Sequence, residues 1–287
     1  MNYKNNTHCY NFKSIQYKNS LLNSIDATYI IHLEGNGRLQ HIESQLEKYH
    51  PSNQVYIVFN KGYKKCEKIL KKQASTFDLK DAYLNVFQHS IDNNHKTILI
   101  LEDDFIFNTD IKTENRYVDE FIIQNREKPF VYYLGCLPVL NVPVSIRHQR
   151  MFWGLTTHAC IYTSNVKQIL IDNADSVDDW DIYLNIQFHV SRYRYINPLC
   201  YQTFPRTENR DNWKNAIYFG EYLIYLLYPI FSLLNLYNEP EPGFTIAYIF
   251  SYILTAFLFI IIIITLYKLY CFVKTIRFSK ILQKINL

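Results

Sequence analysis

The stretch "KTILILEDDFIF", residues 96–107, sets an unbroken apolar run against three consecutive acids, Glu102, Asp103 and Asp104, and turns apolar again at Phe105. Each carboxylate raises the free energy of ionising the next. The triplet is therefore either a turn open to water or the seat of something cationic. "TILIL" lacks the alternation of a strand with one wet face; it suits a parallel strand covered on both sides.

Working outward, "ATYIIHL" (27–33) is rich in β-branched and aromatic residues and stops at "EGNG", a turn signal. "RLQHIESQLEKYH" then places Leu39, Ile42 and Leu46 at helical spacing, and Pro51 ends it. "QVYIVFN" (54–60) reads as a second strand closed by Gly62, and "CEKILKKQAS" (66–75) as a charged surface helix. "DLKDAYLNVFQHSIDNN" (78–94) is a further helix, with Leu79, Ala82, Tyr83, Val86 and Phe87 as its apolar stripe. The order strand–helix–strand–helix–strand predicts an α/β sheet wound in the nucleotide-binding manner. Ligands of such sheets sit beyond the carboxyl ends of the strands, which is where the three acids fall.

Crowded acids are relieved by a divalent cation. Mg²⁺ or Mn²⁺ takes one or two carboxylates, several waters and the phosphates of a substrate. Such an ion could hold a diphosphate and stabilise its charge as it leaves. Two other chemistries begin with the same acids. A phosphate-receiving signalling domain needs a further Asp near "VYYLGCLP" (131–138), which has none. A two-metal nuclease needs more converging acids and a basic track. The net charge of +4 supplies no such track and gives no sign of a nucleic-acid partner.

The segments "YIIHLEGNGRLQHIESQL", "DAYLNVFQHSIDNNHKTILILEDDFIF" and "THACIYTSNVKQIL", in this order, resemble glycosyltransferase family 25, the lipopolysaccharide and collagen sugar-transferase group. "INPLCYQTFPRTENRDNW" (196–213) is similar to the closing motif of related transferases encoded by large DNA viruses. The resemblance covers residues 28–213. It implies a GT-A-like fold with a mixed, mainly parallel sheet, a nucleotide-sugar donor (a UDP-sugar first), Mn²⁺ or Mg²⁺, and transfer with inversion. By the same resemblance Asp104 is the leading metal ligand, Glu102 a donor-facing acid that could also touch the metal, and Asp103 a support. The family's Asn–acid–Arg–Arg motif is replaced here by "IHLEGNGR", with His32 in place of Asn and Arg38 as the retained basic residue. Of the family's Ser–His pair only His89, in "QHS", remains.

An inverting transfer needs a base for the acceptor hydroxyl. "SVDDWDIYLN" supplies Asp178, Asp179 and Asp181 around Trp180. Acids in this position also cap helices. The resemblance points to Asp179, then Asp181, as the base, while Trp180 could stack on an acceptor sugar or pack in the core. His158 borders the donor pocket by the same resemblance; a His beside a strand can equally be structural. Arg206, with Gln202, Asn209 and Arg210, could grip donor phosphate through paired hydrogen bonds or meet the membrane surface. The basic residues of "NKGYKKCEKILKK" (60–72) read as a solvated face.

The 287 residues are 48% hydrophobic and 20% charged, a globular rather than disordered composition. The six cysteines show no zinc-type spacing and read as buried free thiols in a reducing compartment. "MNYKNNTHCYNFKSIQYKNS" lacks the apolar core of a secretory signal. "FTIAYIFSYILTAFLFIIIIITLY" (244–267) carries no charge and is long enough to span a bilayer. "NAIYFGEYLIYLLYPIFSLLNLY" (215–237) carries one acid, Glu221, and one proline, Pro229. Basic residues flank the pair outside, and the connector "NEPEPG" holds only acids. A transmembrane hairpin would leave both basic flanks and the catalytic domain facing the cytosol.

The expected organisation is an N-terminal extension (1–26), a glycosyltransferase domain (27–214), a membrane hairpin or interfacial helix plus transmembrane helix (215–270), and a basic tail (271–287). The acceptor would be a glycan, a lipid-linked sugar or a protein. The competing class is a membrane-tethered scaffold that keeps the fold without catalysis.

Overall fold

The computed structural model describes residues 6–176, 179–187, 189–204 and 228–285. Its centre is a seven-stranded mixed sheet. In chain order the strands are β1 (Tyr10–Gln16), β2 (Ala27–Leu33), β3 (Gln54–Asn60), β4 (Ile98–Glu102), β5 (Phe105–Phe107), β6 (Phe130–Pro143), β7 (His148–Tyr162), β8 (Ser191–Tyr195) and β9 (Cys200–Gln202). The helices are α1 (Leu39–Lys48), α2 (Ser75–Asp92), α3 (Ile111–Asn125), α4 (Ser164–Asp172) and α5 (Trp180–Ile186), before a C-terminal helix, Gly243–Ile285. The spatial order is β1-β3-β2-β4-β7-β6-β8, with β5 and β9 paired apart from it.

β3, β2 and β4 run parallel, as the strand–helix alternation requires. Ile98, Leu99, Ile100 and Leu101 are all fully buried. Ile98 and Ile100 pack with Tyr83 and Phe87 of α2, Val166 and Leu170 of α4 and Trp180 of α5. Leu99 and Leu101 pack with Ile42 and Leu46 of α1 and Val118 and Ile122 of α3. Each such side chain contributes about 1.5–3 kcal/mol. Both faces of β4 are covered, which explains its lack of alternation.

Three expectations change. β1 pairs antiparallel with β3 along its whole length, so the sheet takes in residues ahead of position 27. Cys9 and Cys66 form a disulfide across 57 residues and are not free thiols. Cys136, Cys160 and Cys200 are buried and free, and Cys271 is exposed. Residues 66–74 form no helix. The disulfide ties their start to β1, and the Lys68 ammonium is buried, donating to Tyr10, Asn60 and Asp78 at 2.6, 2.7 and 2.5 Å. A solvated helix face could not deliver Lys68 into the interior.

Gly243–Lys274 is the one helix among the described residues long and apolar enough to cross a membrane. The first arm of the expected hairpin falls mostly in residues 205–227, outside the described residues, as do Arg206 and Arg210.

Candidate active site

β2 and β4 are neighbours in register, with Ile31 opposite Glu102. The loop after β2 and the acids after β4 therefore leave the sheet side by side. The loop turns through Gly35 and Gly37, both at φ +82°, a left-handed conformation that glycine adopts without steric cost. The turn brings Asn36 and Arg38 back onto Asp103.

Asp103 is 7% exposed and closes the loop. One carboxylate oxygen accepts from the Leu33 N–H (3.1 Å) and the Asn36 amide (2.5 Å), with His32 Nδ1 at 3.3 Å. The other accepts from Arg38 at 2.6 Å. Burial alone would raise its pKa; the bond to His32, the Arg38 charge and bond, and the Asn36 bond outweigh it, so the carboxyl sits below its usual range. Asp103 thus anchors the loop, and His32 serves the same anchor.

Asp104 is less satisfied. The Arg38 guanidinium lies 3.4 Å from Oδ2, while Oδ1 is buried and meets no hydrogen-bond donor. Burial, opposed by the Arg38 charge and aided by that of Asp103, pushes its carboxyl up to about 6.

Glu102 turns towards α2 and β7. Burial pushes its carboxyl up to about 8, with the charges of Asp104 and Asp181 adding to the rise. Thr157 donates its hydroxyl to Oε1 at 3.1 Å. The Tyr83 hydroxyl lies 2.8 Å from the same oxygen and 3.0 Å from the Thr157 carbonyl. A phenol carries one hydrogen. With Glu102 ionised the one phenol hydrogen is shared between the two oxygens; with Glu102 protonated and donating to Tyr83, each contact is a full hydrogen bond.

The two candidate bases divide. Asp179 is the N-cap of α5 and accepts from the Ile182 N–H at 3.0 Å. Asp181, two residues on, points to the acids: its Oδ2 accepts from the Thr156 N–H at 2.8 Å, and its charge acts on Glu102. Burial first and Asp179 second push Asp181 up to about 7. Asp178 lies outside the described residues.

Thr156 joins these groups at a strained position. Its φ is +64°, an outlier for a β-branched residue, and its hydroxyl is buried without a partner. Strain of this kind persists where the surrounding structure over-determines it. Here the backbone of Thr156 holds Asp181 while the next side chain holds Glu102.

Other sequence candidates lie apart from the acids. The His158 ring is fully buried, bonded to the Cys200 carbonyl at 3.2 Å and edge-on to Phe244, and burial lowers its pKa to about 4. It is held neutral between β9 and the C-terminal helix, with its Nδ1 buried and without a hydrogen-bond partner. His89 stacks on Phe12 at 4.0 Å. Trp180 is 3% exposed and stacks on Tyr83 at 4.6 Å, so it supports the tyrosine rather than a ligand. Tyr83, Thr156 and Thr157 were missed as site residues. Tyr83 sits within the α2 apolar stripe, and no local signal marks its hydroxyl as facing an acid.

The acids offer a divalent cation one strong ligand. No three of these residues each bring an oxygen within 4.8 Å of the others, and the one such group among the described residues, His8, Cys9 and Cys66, has its thiols in the disulfide. The partnerless buried oxygen of Asp104 nevertheless fits an ion that takes one carboxylate and completes its shell with phosphate and water. Glu102 Oε1 is already engaged and fits a proton better than a metal.

Fold and site define a mixed α/β domain with an under-neutralised carboxylate cluster at the ends of adjacent parallel strands, joined to one helix of membrane-spanning length. No protein-family model and no curated protein matches the sequence. Among solved structures, the chain is similar to a glycosyltransferase involved in glycosylation of the major capsid of PBCV-1, at 10% identity over 53% of this chain and 68% of that one, TM-score 0.31. It is also similar to UDP-glucose pyrophosphorylase complexed with UDP-glucose (9% identity, 59% and 72% covered, TM-score 0.33). A third is a putative glucose-1-phosphate thymidylyltransferase from Bacillus anthracis (14%, 60% and 69%, 0.29). Likeness at this level establishes no residue-by-residue correspondence.

Proposed function

We propose that the protein is a membrane-anchored glycosyltransferase that moves a sugar from a nucleotide-diphosphate donor, a UDP-sugar first, to a hydroxyl of a glycan, lipid or protein. The observation that carries this reading is the buried, partnerless Oδ1 of Asp104, beside Arg38 and beyond the carboxyl end of the central parallel strand. Asp104 would hold Mn²⁺ or Mg²⁺, which when bound supplies positive charge to the donor's diphosphate. Arg38 adds a planar guanidinium suited to phosphate oxygens. Glu102, held towards its neutral form, presents a carboxyl to the donor sugar without adding charge. Asp181 is the base: its carboxyl is pushed up to about 7, near the operating pH that general-base catalysis favours. It takes the acceptor O–H proton as that oxygen bonds to the anomeric carbon, and the nucleoside diphosphate departs with the electrons of the broken C–O bond. Inversion follows from this single displacement.

The scaffold reading has its own support: Arg38 already bridges Asp103 and Asp104, an arrangement that needs no ligand. Thermal melting of the full chain in detergent separates the two. Saturation to about 100-fold above Kd stabilises a protein by about 2.7 kcal/mol. UDP with Mn²⁺ is expected to raise Tm, and Asp104→Asn to abolish the rise. No shift with UDP, GDP or CMP, each with metal, would favour the scaffold.

The orientation is open to revision as well. The cytosolic placement rests on the hairpin. The Cys9–Cys66 disulfide supports the opposite face, because structural disulfides persist in oxidising compartments. With one span, the basic residues Lys274, Arg277, Lys280 and Lys284 would then face the cytosol, as positive charge prefers. Protease added outside sealed microsomes should leave the domain intact; its digestion would return the domain to the cytosol.

A further inference from the structure

The β6–β7 hairpin is much longer than the sheet needs, and its outer end carries apolar residues into solvent. Val144 is 46% exposed and Ile146 85%. The turn is tightly made: the Val144 and Ser145 N–H groups donate to the His148 carbonyl, and the Ser145 hydroxyl accepts from the Arg147 and His148 N–H groups. A well-braced turn that exposes an isoleucine is not explained by folding of the domain.

The C-terminal helix explains where the turn lies. That helix docks on the hairpin's base. Cys136 Sγ lies 3.9 Å from the Tyr248 hydroxyl, and five residues further along β6 the Asn141 amide reaches Ser251, with its N–H donating to Thr255 at 3.3 Å. Arg194 sits under the Tyr248 and Tyr252 rings at 4.4 and 5.2 Å, and the Tyr252 hydroxyl donates to the Ile196 carbonyl. β6 and the helix therefore advance in the same sense. Beyond Thr255, every described side chain through Lys274 is exposed except the half-buried Leu258.

The 18 residues from Ala256 to Val273 are about 27 Å of helix at about 1.5 Å per residue, with one charge, Lys268, whose long side chain can reach the interface at the far end. A hydrocarbon core is about 30 Å thick. The helix runs on to Ile285, but basic residues return at Lys274, so its apolar surface fills the core when the bilayer begins close to Ala256. Asn141 then stands at the membrane interface, and residues 143–146 continue beyond it towards the lipid at about 3.3 Å per residue. Around the turn lies a basic collar. Arg147 stacks on Tyr117 at 3.8 Å, exposed Arg116 packs on the same ring at 4.6 Å, and Arg150 is exposed. Two acids, Asp110 and Glu114, line the same hollow as Ile146 and Arg147; Glu114 is occupied by the Tyr195 hydroxyl and lies 3.9 Å from Arg147. An apolar point ringed by guanidinium and phenol groups is the chemistry of insertion at a phospholipid interface.

We infer that the β6–β7 turn, through Val144 and Ile146, is a second membrane contact that enters the headgroup–acyl boundary beside the spanning helix. It rests on the membrane-anchoring reading. Two attachments, one spanning and one interfacial, hold the domain at a fixed tilt, which a single helix followed by a free domain would not do.

The test is depth-dependent quenching in proteoliposomes of phosphatidylcholine with phosphatidylserine. The full chain, carrying Cys271→Ser, is labelled with an environment-sensitive fluorophore at Ile146→Cys, Val144→Cys, Phe259→Cys or Ile69→Cys. Phe259 reports the span; Ile69 is 72% exposed and belongs to the segment after β3, towards the opposite edge of the sheet. The expected result is a blue shift and loss of emission to a shallow lipid-borne quencher at 144 and 146, deep quenching at 259, and no change at 69. Quenching at 259 with none at 144 or 146 overturns the second contact and leaves the anchor standing. No quenching at 259 overturns the anchor and the contact together.

Discussion

Two buried acidic clusters sit beyond the carboxyl ends of β3 and β4, parallel strands on either side of β2, and they are built in opposite ways. After β3, Asp78 and Asp81 surround a fully buried Lys68. Lys68 donates to Asp78 and lies 3.6 Å from Asp81, whose oxygens also accept from Tyr10 at 2.5 Å and Asn6 at 2.9 Å. Here the carboxylates have a cation of matching burial and a full set of donors. After β4, Glu102, Asp104 and Asp181 have one guanidinium at hand, Arg38, which is already committed to Asp103 and reaches Asp104 at 3.4 Å; Glu102 and Asp181 have neutral partners, and Asp104 Oδ1 has no donor. A satisfied network rigidifies a scaffold, whereas carboxylates held towards protonation mark a site prepared for chemistry or for a cation.

The comparison breaks most sharply at Lys68. Lys68→Met removes the buried ammonium that contacts Asp78 and Asp81, and losing one partner of a buried pair costs about 3–5 kcal/mol. Urea unfolding should show a loss of that order; a loss under about 1 kcal/mol would mean the β3 cluster is as under-neutralised as the other.

Raising the pH should sharpen it. The folded-state pKa values of Glu102 and Asp181, about 8 and about 7, lie above the unfolded values near 4. The folded chain then keeps protons that the unfolded chain has released. The contribution of these groups is complete below about pH 4 and is lost as pH rises through 7 to 8. His148 and His158, both lowered to about 4 by burial, act in the other direction below about pH 6.5. The informative quantity is therefore the difference between wild type and Glu102→Gln in chelator. The variant's Tm should gain on wild type between pH 5 and 8; parallel profiles would remove Glu102 from the titrating set.

The smallest effect belongs to Thr156. Relieving a left-handed β-branched residue is worth about 1–2 kcal/mol, and glycine returns about 0.5–1 kcal/mol as backbone entropy. Thr156→Gly should raise stability by about 0.5–1 kcal/mol in the ligand-free chain. A marked fall in Tm would mean that the hydroxyl, not the backbone, is what the fold requires.

Much of this architecture was legible locally. The uniform burial of residues 98–101 follows from their lack of alternation, and the α1 and α2 stripes follow from 3.6-residue spacing. The placement of Glu102 and Asp104 beyond a strand end follows from both. The capping pattern at Asp179 was equally visible, but its consequence was not: once Asp179 holds the helix, Asp181 is the acid that reaches across to β7. The charges of 66–74 concealed the opposite case, since Lys68 has the composition of a surface residue and is completely buried.

Alone, the order of residues determined the α/β winding, the buried central strand with acids at its tip, and one apolar segment of bilayer length, because each depends on near neighbours and on a period of two or 3.6. Tertiary structure decided which acids are neutralised, that Tyr83 and Thr157 hold Glu102, that Arg38 closes on Asp103 and Asp104, and that Cys9 meets Cys66. The contacts of Arg38, Thr157 and Cys9 join residues 55 to 66 positions apart, and that of Tyr83 spans 19 across a helix-to-strand packing. Ionisation follows distance and dielectric, and neither is defined until the sheet has assembled.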